Sequence, residues 1–337
     1  MFLHNDEFIQ SLGGQVFVMN PKQIANFKKS YSDMDKTDEI DAFVIADYMR
    51  FGRLPMSIVK KEQYVALQQL TRARYQIIRQ ITQEKQRFLQ YLSYKCNTFT
   101  EDVESSVFGK AMMDLFLESY SLEELSQMDL EDLADFLRVR GRNRFPDAKQ
   151  VAKSIQKAAR SSYRLDKVVE DSIDAILATS ITLIRTFEKQ VQELDKAIER
   201  IMKGMPQVLQ SIPGIGPVFA AGIIAEIGQI ERFENEEKIA KYAGLYWRKH
   251  QSGRFTADDT SLSRNGNQYL RYYLVEAANS VRRQIPEYSE YYAKKYKEVP
   301  KHQHKRALVL TARKFVRLVD ALLRKNQIYT PVRSVNL

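Results

Sequence analysis

VEDSIDAILATSITLIRTFEKQVQELDKAIERI, residues 169–201, is the stretch whose reading decides the fold class. Val169, Ile173, Ile176, Ser180, Leu183, Phe187, Gln190, Leu194, Ala197 and Ile201 recur at alternating spacings of four and three, the seam of a coiled coil. A helix carrying such a stripe must bury it, because exposed apolar surface of that length is costly in water. Two partners suit it: a second protomer, the preferred one, or residues 60–97 of the same chain in an antiparallel hairpin. The first expectation makes the protein a homo-oligomer assembled through a coiled coil.

Working outward, no Gly or Pro interrupts residues 147–203, and residues 60–97 read as one long helix with a basic flank. Between them, residues 101–135 invert the sign, with Lys110 as the one cation among eleven acids. Such a block repels phosphate, so it spaces the basic elements, packs against them, or suppresses wrong docking. Over 337 residues the net charge is +10, which favours a polyanionic partner. One cysteine, Cys96, excludes an intramolecular disulfide and a multi-cysteine zinc cluster. His302 and His304 lie in a lysine-rich stretch and read as solvated basic surface rather than metal ligands. No apolar run reaches membrane-spanning length and the start has no targeting pattern, so a soluble cytoplasmic protein is expected.

Toward the start, residues 4–12 suit a short amphipathic helix and Gln15–Met19 a strand stopped by Asn20-Pro21. A helix follows around Ile24 and Phe27, and a stronger one begins at Asp38, with Ile40, Val44, Ile45 and Tyr48 as its apolar face. One strand and two helices cannot complete an α/β layer, because a lone strand has no ladder partner. The segment therefore reads as the end of a domain. Within it, Asp38 and Asp41 are three apart at a helix start, on one face, where two carboxylates can share a Mg²⁺ ion. First-turn capping and solvation explain the same spacing.

Toward the end, Gly204 and Pro206 stop the long helix and a second domain begins. Ser211-Ile-Pro-Gly-Ile-Gly-Pro217 has the form of a helix-hairpin-helix turn, in which Gly214 and Gly216 expose backbone N–H groups to a phosphate. A plain structural hairpin is the alternative. Arg248-Lys-His-Gln-Ser-Gly-Arg254 and Ser261-Leu-Ser-Arg-Asn-Gly-Asn267, followed by Arg271, concentrate cations, hydroxyls and amides. Arg248, Arg254, Arg264 and Arg271, with Asn265 and Asn267, can hold a nucleic-acid phosphate while a nearby serine hydroxyl attacks it. An arginine-rich loop in which Ser263 or Asn265 caps a helix is the other reading.

Val18-Met-Asn-Pro21, Phe27-Lys-Lys-Ser30 and Lys36-Thr-Asp-Glu-Ile-Asp-Ala42 resemble the end of the RuvC-like, RNase H-like domain of DEDD-type insertion-sequence transposases, a family that includes bridge-RNA-guided recombinases. Pro213-Gly-Ile-Gly216, Phe233, Ala243-Gly-Leu245, Gln251-Ser-Gly253 and Ser263-Arg-Asn-Gly-Asn-Gln-Tyr-Leu-Arg271 resemble its C-terminal transposase domain. The resemblance implies an α/β remnant over residues 1–58, a helical and coiled-coil region over 59–205, and an all-α transposase domain over 206–337. It further implies DNA as substrate, a guide RNA as partner, and Mg²⁺ held by four carboxylates, of which Asp38 and Asp41 match the last two. Ser252 is the implied nucleophile and Ser263 its substitute. The family's other two carboxylates belong to strands that would precede His4, and Asp6 and Glu7 lie too near the next helix to replace them. An N-terminally truncated member with weak metal binding and impaired cleavage is expected. A non-catalytic nucleic-acid-binding remnant and a structural coiled-coil protein are the rival expectations.

Overall fold

The computed structural model describes residues 8–9, 11–17, 19, 21–31, 34–52, 62–206, 208–247, 251–252, 255–256, 262–263 and 265–331, with backbone alone at 22, 251–252 and 255–256. It is mostly helical and divides into two compact units, Met1–Thr71 with Ile198–Leu337, and Arg72–Ala197. Both boundaries fall inside long helices, α3 (Glu62–Lys95) and α9 (Lys167–Met202).

In the second unit those two helices run antiparallel. Arg74 donates to Asp195 at 2.5 Å, Lys85 to Glu188 at 3.1 Å and Ser180 to Glu84 at 2.6 Å, so rising numbers on one helix meet falling numbers on the other. Lys95, itself buried, closes the series on Asp174 and on the Tyr120 carbonyl. The partner of the apolar stripe is thus α3 of the same chain, the hairpin reading rather than the two-protomer one. The buried line is Ile173, Leu177, Ile181, Ile184, Val191 and Ile198, whereas Gln190 is exposed and Leu183 half-buried. Ser180 is buried as the seam read from sequence requires, whereas Leu177, Ile184, Val191 and Ile198 are buried in place of their preceding neighbours Ile176, Leu183, Gln190 and Ala197. Neighbours on a helix differ by about 100°, so a wide apolar stripe admits two adjacent seams, and the facing helix chooses between them.

Around this pair pack α4 (Phe99–Asp102), α5 (Lys110–Leu117), α6 (Leu122–Gln127), α7 (Leu130–Arg140) and α8 (Ala148–Ser161), over a core that includes Phe88, Leu92, Phe99, Met112, Phe116, Leu137 and Ile155. The acidic block builds these elements. Ser121 and Glu124 form a reciprocal capping box, and Asp129 and Asp147 cap the helices that follow them. Asp114 pairs with Arg185, and Glu131 with Lys149. The Gly- and Pro-free run 147–203 is nonetheless broken between Ser161 and Lys167, and Asp166 restarts the chain by accepting from the Val168 N–H at 2.9 Å.

In the first unit α10 (Pro217–Ile227) is buried from Ala220 onward, as expected of a helix that is apolar all round. It lies against α12 (Gln268–Gln284), which packs on α14 (Gln303–Lys325); α11 (Glu236–Ala243) and α13 (Pro286–Lys297) flank them. Gly222 is what lets α10 and α12 close, since a Cβ there would overlap the Tyr273 ring. Between α11 and α12 the chain forms two small antiparallel pairs. One joins β1 (Tyr246–Trp247) to β4 (Leu262–Ser263), the other β2 (Gln251–Ser252) to β3 (Phe255–Thr256). The polar loop read from sequence is therefore partly a two-stranded extension.

Near the start, α1 (Pro21–Lys28) and α2 (Asp38–Arg50) form a helical pair. The Phe27 ring meets Tyr31, Tyr48 and Phe51 at 5.2–5.6 Å between centroids, and Val44 is fully buried. The strand expected at Gln15–Met19 is absent among the described residues of that span, consistent with its want of a ladder partner. The expected helix 4–12 is described only at residues 8, 9 and 11, which are helical. On α2, Phe43 and Ile45 are exposed, as is Phe51 just after it, so the apolar face is only partly covered.

Candidate functional site

Asp38 and Asp41 stand on the first turn of α2, where Thr37 caps the helix by accepting from the Ile40 N–H at 3.3 Å. Helix geometry places the two carboxylates on one side, and the helix N-terminus offsets part of their repulsion. Asp41 is engaged by Lys28, whose Nζ lies 2.6 Å from Oδ1 and also donates to the Asp35 carbonyl at 3.0 Å. Two turns on, Asp47 accepts from the Tyr31 hydroxyl and pairs with Arg50 at 2.9 Å; the bond to Asp47 raises the Tyr31 phenol above its usual range. Among the described residues no group of three or more His, Cys, Asp or Glu is placed to hold a metal ion. Two carboxylates, one already neutralised by an ammonium, do not complete the oxygen set a Mg²⁺ ion needs. The described residues therefore do not fit a resident ion by themselves.

The turn at residues 211–217 is followed by an α-helix but preceded by a single 3-10 turn rather than by a second short α-helix. A 3-10 turn at Leu209–Ser211 leads through buried Ile212 and Ile215 to Gly216, which precedes Pro217 at the first position of α10. Gly214, at φ +91°, has a conformation that suits glycine, and the turn rests on α12, where a Cβ on Gly214 would come within 3.0 Å of Ser280 Oγ and 3.1 Å of Gln284 Cγ. Pro213, Gly214 and Gly216 are exposed.

At the base of the β extension the structure gives the polar residues architectural partners. Asn267 caps α12, accepting from the Tyr269 and Leu270 N–H groups at 3.0 Å, and its amide donates to Glu226 at 2.6 Å and to the Tyr242 hydroxyl at 3.1 Å. The helix cap is thus Asn267, not Ser263 or Asn265. Arg271 donates to the Ala243 carbonyl at 3.0 Å beside Gly244, whose left-handed backbone ends α11. Glu226, fully buried, also accepts from Gln68 at 3.1 Å. Sequence reading missed Glu226 and Gln68; the available signal was a lone acid inside the apolar run Ala220–Ile227. Ser252 lies in β2, with Phe255 opposite it in β3. Ser263 is buried, and its hydroxyl has no hydrogen-bond partner among the described residues. Asn265 is exposed, while Arg248, Arg254 and Arg264 lie outside the described residues.

Two family models match the chain in the order that the motifs suggest. Residues 4–96 match a DEDD transposase model of the IS110 type, and residues 206–293 match the transposase family IS116/IS110/IS902. The insertion element IS116 uncharacterized 44.8 kDa protein of Streptomyces clavuligerus is 27% identical over 331 residues, covering 96% of this chain and 80% of that protein. The transposase for insertion sequence element IS1111A of Coxiella burnetii is 27% identical over 147 residues, 43% of this chain and 39% of its own length. The pilin gene-inverting protein of Moraxella bovis is 27% identical over 151 residues, 43% of this chain and 46% of its own. With both characteristic domains present in order, and a relative aligned along 96% of this chain, the chain belongs to the IS116/IS110/IS902 family of insertion-sequence transposases.

Proposed function

We propose that this chain acts on DNA as an insertion-sequence recombinase, with Ser252 as the nucleophile and the hairpin turn and arginine-rich loop as its phosphate contacts. In the proposed step Ser252 Oγ bonds to phosphorus, the bond from phosphorus to one deoxyribose oxygen breaks, and that oxygen takes up a proton. One phosphodiester replaces another, so the reverse attack by a deoxyribose hydroxyl reseals the strand without an external energy source. Backbone N–H groups at Gly214 and Gly216, with Arg248, Arg254, Arg264, Asn265 and Arg271, orient the phosphate and oppose the charge gathering on its oxygens. Asn267, four residues after β4 ends at Ser263, fixes the start of α12 through its cap and its bond to Glu226. The observation that supports the reading is the position of Ser252 in β2, within the segment that runs between β1 and β4 and ends shortly before the Asn267 cap.

DNA transposases of this kind typically use a divalent ion, and Asp38 and Asp41 are the residues proposed to contribute to its site. The described residues do not complete that site. A guide RNA is a further proposed partner. The deciding experiment incubates the purified chain and Mg²⁺ with the terminal DNA of its element and looks for a covalent protein–DNA product by denaturing electrophoresis. A product that vanishes in Ser252→Ala and persists in Ser263→Ala supports the reading; a product unchanged in Ser252→Ala removes Ser252 from it. The Lys28–Asp41 pair favours a second reading, a nucleic-acid-binding protein without cleavage, whose signature is salt-sensitive DNA retention and no product in the wild-type chain.

A further inference from the structure

Residues 282–317 carry eleven Lys and Arg against three Glu, so nearly all of the chain's net charge of +10 has its match in this one segment. It comprises the end of α12, α13 and most of α14. Part of its charge is met internally: Glu298 pairs with Lys295 at 2.6 Å and Arg306 at 3.0 Å, and Glu287 with Lys314 at 2.7 Å. Lys294, Lys297, Lys301 and Lys305 are exposed and take part in no ion pair among the described residues. Interleaved with them is an aromatic ladder. The Arg282 guanidinium lies 4.0 Å from the Tyr292 ring centre, Tyr292 and Tyr296 are 5.9 Å apart and tilted, and the Tyr292 hydroxyl meets His304 Nδ1 at 2.7 Å. Tyr296, the outer rung, is 38% exposed.

This surface is continuous with the hairpin turn. Gly214 abuts Ser280 and Gln284 on the last turns of α12, and the next residues on that helix line a cleft of about 320 Å³ with Arg282, Arg283, Gln284, Ser289 and Glu290 around it. We propose that the hairpin turn, this cleft and the Arg282–Tyr292–Tyr296 ladder form one track for a single-stranded nucleic acid. The turn's N–H groups and Arg283 take successive phosphates, and an unpaired base stacks on Tyr296. Solvated basic surface is the plain alternative for a lysine-rich helix, and it accounts for the charge. It does not account for a ring left open at the end of a cation-and-aromatic stack beside a phosphate-competent turn. Paired bases already stack on their neighbours, so the ladder distinguishes single strands from duplex, which offers the track its phosphates alone.

The inference extends the nucleic-acid partner of the proposed function, yet its test reads binding and not cleavage. A chain that never cleaves can pass it, and one that cleaves can fail it. Fluorescence anisotropy on the full chain would compare an unstructured 20-nucleotide RNA, the DNA of the same sequence and its blunt duplex. Tyr296→Ala is expected to weaken both single strands about tenfold and the duplex less than twofold, Tyr296→Phe to retain binding, and Arg283→Gln to weaken all three. Tighter binding of the RNA assigns RNA as the strand, and the reverse order assigns DNA. Unchanged affinity in Tyr296→Ala, or an equal loss on duplex, overturns the proposal. Tyr296 is partly exposed, so circular dichroism matching the wild type keeps either outcome interpretable.

Discussion

Asn267 joins three elements through one side chain. Its oxygen satisfies two N–H groups at the start of α12, while its amide reaches Glu226 on α10 and Tyr242 on α11. Replacing it with alanine removes a helix cap and one of the donors to a fully buried carboxyl, a combined cost of about 2–4 kcal/mol. Urea unfolding followed by circular dichroism would read this as a lower midpoint at unchanged slope, and a loss under about 0.5 kcal/mol would refute the account. The cap was only half legible in the sequence. Asn265-Gly-Asn267 offers two asparagines with equal capping chemistry, and the choice rests on Gly266, which approaches the Tyr242 carbonyl and the Gly244 N–H so closely that no Cβ fits. That approach is a tertiary fact which no local spacing encodes. Asp38 and Asp41 were legible as a pair on one helical turn, but the Lys28 ammonium against Asp41 comes from the preceding helix and could not be read off their spacing.

At the scale of elements, the long helices were the most readable part of the chain, because a 3.5-residue period sustained over residues 169–201 suits a packed helix and neither a strand nor a loop. Residues 60–97 and the seam region became α3 and α9 nearly end to end. What the pattern could not supply was the partner or the face. Ile176 and Leu177, or Leu183 and Ile184, are adjacent apolar pairs, and either member can lie in the seam. Complementary polar contacts decide between them: Ser180 to Glu84 and Asp195 to Arg74 hold α9 in the rotation that buries Leu177 and Ile184. Mutation would separate the two registers. Leu177→Ala is expected to cost about 2–5 kcal/mol through the cavity it leaves, whereas Gln190→Ala, on the exposed side, should stay within about 0.5 kcal/mol. Comparable losses at both positions, measured by urea unfolding, would mean that Gln190 also faces a partner, as the two-protomer seam requires. The strand at Gln15–Met19 failed for the opposite reason. Alternation signals that a segment can be a strand, and pairing decides whether it is one.

For the whole molecule, the net charge of +10 conceals a division of labour. Most acids of residues 101–135 cap helices or enter ion pairs such as Asp114–Arg185, Glu118–Arg140 and Glu131–Lys149, whereas several lysines of residues 282–317 are exposed and enter no ion pair among the described residues. Total charge and phosphate contact therefore make different predictions for the salt dependence of binding. The slope of log affinity against log salt counts neutralised phosphates, about −0.7 for each in a single strand. With four to six phosphates engaged, a slope of roughly −3 to −4 is expected. Arg283→Gln and Asp132→Asn change the net charge by one unit in opposite directions, and both residues are exposed. If the slope reports contacts, Arg283→Gln makes it shallower by about 0.7 and Asp132→Asn leaves it unaltered. If binding follows overall charge instead, the two substitutions shift affinity by similar amounts with opposite sign and leave the slopes alike, and the localisation of binding to residues 282–317 would have to be given up. Anisotropy titrations of both variants over roughly 50–300 mM salt, about where such slopes are steep enough to measure, separate the two.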